Sequence, residues 1–327
     1  MKEAFLFLDR EVVRKYLTPG EVIRIVKEIW KQRKTGTIVE GNHAFLQAGK
    51  ENDNVFLHIP ACLTGQGVLG FKWINCYMKP APGYPFSHGN IIVLNDIVTG
   101  SLKAVVSAID ITTMRTAGGH GVAAASCLAK KNVRTLAVIG GGAEAISGIN
   151  GFLCEYPQLE KICLYCRQEK KFEMLRQMFS DQICMEYVLE SSQIGKGADV
   201  ILVATSSPDI LLRYQDLEKG TTVIALDGFI DVDPEISQKA DKWFVGNRKT
   251  DGLEIIDSGE MSHGVQLHYE DITGEIDDVL NELIPGRESE DEIIVYTHMG
   301  AGAYDIACAE LVYEKAAEAG DGVELRL

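Results

Sequence analysis

The fold is decided by residues 133–148, which read Val-Arg-Thr-Leu-Ala-Val-Ile-Gly-Gly-Gly-Ala-Glu-Ala-Ile-Ser-Gly. The apolar run from Leu136 to Ile139 is short and ends in β-branched residues, which is typical of a strand buried on both faces. It leads directly into a turn of three glycines, 140–142, and small residues continue beyond the turn. This order predicts a strand, a tight turn and a helix, which together begin a βαβ unit.

Each small residue of the turn has a physical reason that matches the dinucleotide-binding pattern G-x-G-x-x-A. Gly140 permits the tight turn, Gly142 lets a pyrophosphate approach the backbone, and Ala145 lets the helix pack closely on the strand. The phosphate charge is then held at the helix N-terminus, where Ala143 and Glu144 are further predicted cofactor contacts. Glycine turns after strands are common, so the pattern needs support from its surroundings.

Length, composition and charge limit the class of protein. A chain of 327 residues with 46% hydrophobic and 24% charged residues is expected to form two soluble globular domains. The net charge of −15, from 32 basic and 47 acidic residues, disfavours nucleic acid or an anionic membrane as a partner. The sequence has neither an apolar run long enough to span a membrane nor a signal-peptide pattern at residues 1–4. Its eight scattered cysteines are typical of reduced thiols, so we expect a cytoplasmic protein.

The N-terminal third of the chain is predicted to be rich in strands, with helices before them. Thr18 and Glu21 enclose Pro19 in a capping box, so a helix is expected from there to about Lys34. The proline-rich stretch 79–85 is expected to be a loop. Apolar segments bounded by turn residues predict strands at 55–59, 70–75, 91–94 and 102–106.

Beyond this region the pattern changes to alternating strands and helices. Residues 110–130 are expected to form one connecting helix, capped near Thr112 or Thr113 and weakened by its three glycines. A closing helix is expected at 305–319. Strands are expected at 161–166, 184–188, 199–205, 221–226, 242–245 and 292–297. This alternation predicts an α/β fold with a Rossmann-type, doubly wound parallel sheet, which is the context that a dinucleotide-binding turn requires.

The end of the second strand of the sheet bears on which dinucleotide is bound. An acidic residue there would bind the ribose hydroxyls of NAD, but the strand ends at Cys166 and Arg167 follows. A guanidinium in this place suits the 2′-phosphate of NADP, while Glu169 leaves NAD open. The sequence therefore predicts NAD or NADP with a preference for NADP, and Thr205 and Ser206 are further predicted cofactor contacts.

A series of elements resembles, in order, those of the ornithine cyclodeaminase/μ-crystallin family, which includes ketimine reductases and some alanine dehydrogenases. The resemblance covers most of the chain, and Glu144 departs from it because the family has glutamine there. The elements are Gly70-Phe71-Lys72, Pro85 to Gly89, Met114-Arg115-Thr116-Ala117, Gly140 to Ala145, Ala225 to Gly228, Gly286-Arg287 and Gly300 to Asp305. The resemblance implies a discontinuous α+β domain for substrate binding and dimerisation, residues 1–117 with 299–327. It also implies a Rossmann dinucleotide domain, 118–298, and a homodimer.

The family's shared step is hydride exchange between a nicotinamide and the α-carbon of an amino acid. Arg115 offers a planar fork for the α-carboxylate, and Lys72 offers a point charge that also serves catalysis; a solvated charge is the alternative for Lys72. Asp227 follows an apolar strand, at the end where ligands bind, and is predicted to move the proton unless it only caps a turn. Ser87 and Arg115 are also predicted to contact the cofactor, although Ser87 could instead stabilise its turn.

The chain departs from the family at three places. His43 or Asn42 stands where the family has an arginine that binds the carboxylate, and a histidine can take that role depending on pH. Near His58, residues 56–60 contain no acid to receive the distal amine of ornithine, so cyclisation of ornithine loses support. His298 replaces a serine and is expected beside the nicotinamide, either as a proton donor or as a packed structural histidine.

Two other patterns predict no site, so no metal is expected. Cys163 and Cys166 form C-x-x-C on a predicted strand, where the two thiols point to opposite faces. His263 and His268 lie in a polar loop without the further ligands that zinc requires.

The residues and the resemblance together leave three functions open. The favoured one is an NAD(P)-dependent oxidoreductase that acts on the C–N bond of an amino acid or of a cyclic or linear imino acid. The second is an ornithine cyclodeaminase-like lyase, which uses NAD catalytically and releases ammonia. The third is a crystallin-like protein that holds NADPH without turnover, which the presence of Lys72, Arg115 and Asp227 disfavours.

Overall fold

The computed structural model describes residues 4–47, 54–77 and 89–327, and the chain divides into two compact units. Unit 1 is Met1–Arg115 with Ala301–Leu327, and unit 2 is Thr116–Gly300. The strands are β1 Ala4–Leu8, β2 Ile38–Glu40, β3 Ala44–Gln47, β4 Asn54–Leu63, β5 Val68–Tyr77, β6 Ile91–Asp96, β7 Leu102–Ser107, β8 Thr135–Ile139, β9 Lys161–Tyr165, β10 Cys184–Tyr187, β11 Val200–Val203, β12 Thr222–Ala225, β13 Lys242–Val245, β14 Gly274–Glu275, β15 Ile294–Thr297 and β16 Val323–Arg326. The α-helices are α1 Arg10–Tyr16, α2 Pro19–Arg33, α3 Ala108–Arg115, α4 Val122–Leu128, α5 Ala143–Glu155, α6 Glu169–Met178, α7 Glu235–Lys239, α8 Arg248–Asp251, α9 Ile276–Leu280 and α10 Gly302–Ala319.

Unit 1 is built on a mixed sheet in the order β16-β1-β7-β6-β5-β4-β2, with β3 also paired to β4. The face that carries Ile59, Lys72 and Ile92 is buried, and these three residues lie opposite one another across β4, β5 and β6. Helix α10 packs against these same strands. Helix α2 begins with the predicted capping box, in which the Thr18 side chain accepts from the Glu21 amide.

Unit 2 contains an all-parallel sheet in the order β10-β9-β8-β11-β12-β15-β13-β14. The chain builds β9 and β10 on one side of β8, and β11 and β12 on the other, so the order of strands reverses at β8. In such sheets, ligands bind outside the carboxyl ends of the strands at this point of reversal. The predicted doubly wound parallel sheet is confirmed, and its predicted strands are present to within a residue or two at each end. In unit 1 the strand predicted at 55–59 is longer and extends from Asn54 to Leu63.

The structure corrects the prediction for residues 110–130. Helix α3 already begins at Ala108 and ends at Arg115, a π-helical turn follows at Thr116–Gly121, and α4 then ends at Leu128. The expected single helix with a cap near Thr112 or Thr113 is therefore wrong.

Close packing explains the glycines of the π-helical turn. A Cβ atom added to Gly118 would lie 2.6 Å from Ser147 Oγ, and one added to Gly151 would lie 2.8 Å from the Gly118 carbonyl oxygen. Ser147 and Gly151 both belong to α5. The backbone of the turn therefore lies directly against α5, which larger side chains would prevent.

The sequence analysis missed four strands of the sheet of unit 1, namely β1, β2, β3 and β16. β1 pairs in parallel with β7 and antiparallel with β16. β1 reads Ala-Phe-Leu-Phe-Leu without alternation, and all four residues of β16 are exposed. Periodicity cannot identify such short segments, because their strand conformation depends on partners that are distant in sequence.

Candidate active site

The first part of the candidate site is the glycine turn after β8. Gly140 has a φ of +124°, and a Cβ atom there would lie 2.2 Å from the Ala204 carbonyl oxygen. Gly142 differs, because it is exposed and nothing lies within 4 Å of the place where its Cβ would stand. Packing within the protein requires glycine at 140, whereas at 142 its absence of a side chain leaves open space beside the backbone.

This open space lies at the N-terminus of α5, a helix of 13 residues. Gly142 is the N-cap and provides no side-chain cap, so the helix presents its first-turn amides and the positive end of its dipole there. Ala143 is exposed, and Ala145 is fully buried behind it. Glu144 Oε2 accepts a hydrogen bond from the Ala117 amide at 3.1 Å, which ties this carboxylate to the π-helical turn. The arrangement suits an anion such as a pyrophosphate.

Other predicted residues of unit 2 follow neighbouring parallel strands and so lie at the same edge of its sheet. Arg167 comes shortly after β9, Thr205 and Ser206 follow β11, and Asp227 follows β12. Arg167, Ser206 and Asp227 are exposed, while Thr205 is half-buried and its Oγ1 accepts from the Ser207 amide at 2.8 Å. The structure thus brings these four residues to the ligand-binding edge, together with the glycine turn.

The turn after Asp227 contains a second carboxyl group, which belongs to Asp231. Asp231 is 3% exposed, and its Oδ2 is buried with no hydrogen-bond partner within the described ranges of the chain. Burial, and secondarily the charge of Asp227, raise the pKa of Asp231 to about 7. This carboxyl group therefore keeps its proton at pH values well above those at which an ordinary aspartate ionises.

His298 lies at the end of β15, next to β12 and β13, and is fully buried. Its Nδ1 lies 3.0 and 2.9 Å from the two carboxylate oxygens of Asp251. The amides of Gly246, Asn247 and Met299 also donate to Asp251, at 2.8, 2.9 and 3.0 Å. Burial acts to raise the pKa of Asp251, but the charge and hydrogen bond of His298 and these amides outweigh it and hold that pKa below its ordinary value.

The ionised Asp251 fixes the ring of His298, with the hydrogen on Nδ1. The ring also packs on Gly246, where a Cβ atom would lie 2.0 Å from Nδ1, and edge-on against His120 at 4.9 Å between centroids. His298 is therefore a held, buried side chain at the carboxyl edge of the sheet, rather than an exposed proton donor.

Lys72 and Arg115 form the second part of the candidate site, in unit 1. Lys72 Nζ lies 2.8 Å from Asp305 Oδ2, and Arg115 Nε donates to Asp305 Oδ1 at 3.1 Å. All three side chains are at least nine-tenths buried, with Lys72 and Asp305 fully so. The guanidinium has four further N–H donors on its terminal nitrogens, in the fork geometry that binds carboxylates. The structure therefore brings both predicted carboxylate ligands together on one aspartate.

The two remaining predicted ligands belong to the same unit. His43 is half-buried and comes directly before β3, whose Ala44 lies opposite His58 on β4. His43 thus adjoins β3, which pairs with β4, the strand whose Ile59 lies opposite Lys72. Ser87 lies outside the described residues, as does the predicted loop 79–85.

Sequence analysis missed three buried aspartates, Asp231, Asp251 and Asp305, that contact or neighbour the predicted site residues. Asp305 was quoted as the end of a family element, but its partners lie far away in the chain. A signal was present, because two cations on a buried face require a compensating carboxylate. Asp251 and Asp231 gave no comparable signal, since their burial depends on turns that the sequence does not specify.

Comparison with known proteins relates this geometry to a family. Residues 3–320 match the model of the ornithine cyclodeaminase/mu-crystallin family. The chain is 27% identical to an alanine dehydrogenase of Archaeoglobus fulgidus over 331 residues, covering 98% of each chain. It is 28% identical over 277 residues to a Δ1-pyrroline-2-carboxylate reductase of Bacillus cereus, covering 82% of this chain and 84% of the relative.

A solved structure of an archaeal alanine dehydrogenase dimer with bound NAD is also similar. Its TM-score is 0.88 at 26% identity, over 98% of this chain and 99% of the other. These relatives are enzymes that act on amino or imino acids. Within the described part of the chain, no helix combines the length and apolar character needed to cross a membrane.

Proposed function

The chain belongs to the ornithine cyclodeaminase/mu-crystallin family, and we propose that it is an NAD(P)-dependent oxidoreductase acting on the C–N bond of an amino acid or of a cyclic or linear imino acid. The observation that carries the proposal is the buried group of Lys72 and Arg115 on Asp305. Two buried cations held by one aspartate are a ready seat for the α-carboxylate of such a substrate. The activities named for the relatives, alanine dehydrogenase and pyrroline-2-carboxylate reductase, agree with this substrate class.

In this proposal, unit 1 binds the substrate and unit 2 binds the cofactor. Arg115 takes the α-carboxylate through its fork, Lys72 adds a second positive charge, and Asp305 keeps both side chains aligned. His43 contributes a hydrogen bond to the same carboxylate in its protonated form. Ser87 remains a proposed contact.

Unit 2 fits a dinucleotide on its own geometry. The uncapped N-terminus of α5 and the open space at Gly142 suit the pyrophosphate, with Ala143, Glu144 and Thr205 around it. Arg167 is exposed where a 2′-phosphate would lie, so we propose a preference for NADP over NAD. The similar alanine dehydrogenase structure holds NAD, which keeps NAD as the alternative. When bound, the nicotinamide would give or take the hydride at the α-carbon.

Asp227 is the group proposed to move the proton. It is exposed at the carboxyl edge of the sheet, directly beyond β12, where it can exchange protons with solvent and with a substrate nitrogen. During imine reduction one proton is added to nitrogen, and during amine oxidation one is removed, so one carboxyl group serves both directions. His298, fixed by Asp251, would line the cofactor site rather than donate the proton.

The decisive experiment follows nicotinamide absorbance with alanine, proline, ornithine, Δ1-pyrroline-2-carboxylate, and pyruvate plus ammonium, using NAD(H) and NADP(H) separately. Net oxidation or reduction of the nicotinamide supports the proposal. Ammonia release from ornithine without net change in nicotinamide would instead indicate a cyclodeaminase. That outcome would contradict the expectation drawn from residues 56–60, which contain no carboxylate to bind the distal amine of ornithine.

The cofactor site has its own test in a matched pair of glycine variants. Gly142→Ala should fold normally, because its Cβ meets open space, but should bind NADH and NADPH at least tenfold more weakly. Gly140→Ala should lose stability, because its Cβ would collide with Ala204 and its φ is positive. Thermal unfolding and nicotinamide fluorescence titration separate the two effects. Unchanged nucleotide affinity in Gly142→Ala would argue against a dinucleotide at this turn.

We further propose that the protein is a cytoplasmic homodimer with a small-molecule substrate. The similar alanine dehydrogenase is described as a dimer. Sedimentation equilibrium of the full chain would test the stoichiometry.

A further inference from the structure

The face of the unit 1 sheet that carries Lys72 continues beyond it as a row of apolar side chains. Ile59 of β4 lies opposite Lys72, and Leu57, two positions earlier, is on the same face of β4. Leu57 in turn lies opposite Ile74 of β5 on one side and Phe45 of β3 on the other. Phe45, Leu57 and Ile74 therefore cross three strands next to Lys72, and we call them the apolar row.

Ring contacts on the other face of the sheet support this alternation. Phe56 stacks on Trp73 with ring centroids 5.4 Å apart, and His58 packs against Phe71 at 4.8 Å. These four residues alternate along β4 and β5 with those of the apolar row and with Lys72. The apolar row and Lys72 thus share one face, and the four rings share the opposite one.

Burial on this face decreases from Lys72 to the apolar row. Lys72 is fully buried and Ile59 is 4% exposed, whereas Leu57 and Ile74 are half-buried and Phe45 is 54% exposed. The row is therefore an apolar surface that begins beside a buried cation and ends at solvent. Exposed apolar surface of this kind favours a ligand that covers it.

The position of α10 explains where the burial ends. A Cβ atom on Gly302, the first residue of this helix, would lie 3.0 Å from the Ile59 carbonyl oxygen. A Cβ atom on Gly70 would lie 2.9 Å from Ile306 Cδ1, one turn further along the helix. Gly70 lies opposite Ala61, two positions beyond Ile59 on the side away from the apolar row. The helix therefore begins at the row of Lys72 and extends away from the apolar row.

The surface beyond Lys72 offers no charge to a ligand within the described part of β3, β4 and β5. The carboxylate of Glu40, on the same face of β2, lies opposite Ala61 on the far side and pairs with Arg33 Nη2 at 2.9 Å. A distal ammonium or a second carboxylate placed on the apolar row would lose hydration without gaining a counter-charge. The side chains of this surface are Phe45, Gln47, Val55, Leu57 and Ile74.

We propose that Phe45, Leu57 and Ile74 determine specificity by binding an uncharged, apolar side chain of the amino or imino acid. This inference rests on the proposed function, because it takes Lys72 and Arg115 as the seat of the α-carboxylate. The α-carbon carries both the carboxylate and the side chain, so the two groups bind next to each other. Successive rows on one face of a sheet are about 7 Å apart, a distance that a small amino acid spans.

The test compares norvaline, ornithine and glutamate, whose side chains are similar in length but neutral, cationic and anionic. Nicotinamide absorbance is followed with the full-length protein, using NAD and NADP separately. We expect kcat/KM for norvaline to exceed that for ornithine and for glutamate by about 100-fold or more, because burial of an uncompensated charge is costly. Equal values for norvaline and either charged amino acid would overturn the proposal.

A binding measurement keeps this test separate from that of the proposed function. Absence of turnover with all three amino acids and with proline would count against the proposed function. Isothermal titration calorimetry of the same protein with the three linear amino acids would still decide the role of the apolar row. Norvaline should then bind more tightly than ornithine and glutamate, and equal or absent binding would refute that role.

Matched variants at the exposed end of the row test its residues directly. Phe45 and Leu46 are adjacent, 54% and 58% exposed, and lie on opposite faces of β3. Phe45→Ala should raise KM for norvaline about tenfold with little change in kcat, because apolar contact is lost. Phe45→Glu should raise kcat/KM for ornithine relative to norvaline about tenfold or more, because it supplies a counter-charge. Leu46→Ala and Leu46→Glu should change neither quantity, and equal effects at the two positions would refute the assignment.

Discussion

The buried aspartate of unit 1 and that of the turn after β12 in unit 2 meet the same physical problem in opposite ways. Asp305 is fully buried but has Lys72 and Arg115 within ion-pair distance. Asp231 is almost as buried, and the described residues place neither a donor nor a cation on its Oδ2. The comparison teaches that burial alone does not decide the charge of a carboxyl group. The partners that the fold brings to it decide whether it keeps its charge or its proton.

The largest effect is expected from removing one partner of Asp305. Lys72→Met removes one of the two ion pairs of the buried Asp305 carboxylate. This change should cost roughly 3–5 kcal/mol of unfolding free energy, measured by urea denaturation. Adding Asp305→Asn to Lys72→Met leaves the buried Arg115 without its carboxylate, so the double variant should lose further stability and have no activity. The exposed pair of Lys15 and Asp321 is the control, and Lys15→Met should change the unfolding free energy far less. Equal losses of unfolding free energy in Lys72→Met and Lys15→Met would show that the buried ion pair contributes no more than the exposed one.

The pH dependence of stability should distinguish Asp231 from Asp305. In the unfolded chain Asp231 releases its proton near pH 3.8, whereas in the folded chain it holds the proton up to about pH 7. Stability from this group is therefore complete below pH 3.8 and is lost as the pH rises through 7. The loss amounts to roughly 4 kcal/mol by linkage. Urea denaturation at a series of pH values should show this fall in the wild type but not in Asp231→Asn; parallel curves would contradict it.

A smaller effect is expected at Asp251, where a buried carboxylate is compensated by a histidine and backbone amides. The asparagine side chain of Asp251→Asn can accept some of these hydrogen bonds but leaves other donors without an acceptor. We therefore expect the unfolding free energy to fall by about 1–3 kcal/mol. The exposed Asp257, which accepts from Tyr269 Oη, is the matched control, and Asp257→Asn should change little. Denaturation midpoints give the stability, and ¹⁵N NMR of the His298 ring reports whether Nδ1 keeps its hydrogen. A ring unaffected by Asp251→Asn would show that Asp251 does not hold it.

The smallest effect on folding is expected from an exposed charge. Arg167→Ala should change the unfolding free energy by less than about 0.5 kcal/mol, because the side chain is exposed. It should nevertheless weaken NADPH binding about tenfold, or about 1.4 kcal/mol, while NADH binding stays nearly constant. Lys170→Ala is the control, because Lys170 is also exposed and lies three positions further along the chain, in α6. Equal losses for the two nucleotides would remove the argument for a 2′-phosphate contact at Arg167.

Much of unit 2 could be predicted because its information is local. The run Leu136 to Ile139, the glycine turn and the later apolar segments each carry their own pattern, and the parallel sheet follows from their alternation. The N-terminal capping box at Thr18 was equally readable. The cations Lys72 and Arg115 could be predicted because they sit in short elements that resemble a family, not because their contacts were visible.

What could not be predicted depends on residues distant in sequence. The counter-charge of Lys72 comes from Asp305, 233 positions later by the numbering of the two residues. The π-helical turn at 116–121 exists because Gly118 packs on α5, and no periodicity signals that contact. The different surroundings of Asp231 and Asp233, two positions apart, depend on which side of the turn the core covers.

The origin of Asp305 has a consequence for synthesis on the ribosome. Lys72 and Arg115 emerge long before α10, with the whole of unit 2 translated in between. Until α10 arrives, the two cations have no carboxylate from that helix, and β1 lacks its pairing with β16. Unit 2 is contiguous and can fold as soon as it has been made, whereas unit 1 is completed only after α10 and β16 have been translated. A pulse of protease during translation should therefore cut unit 1 at chain lengths at which unit 2 already resists.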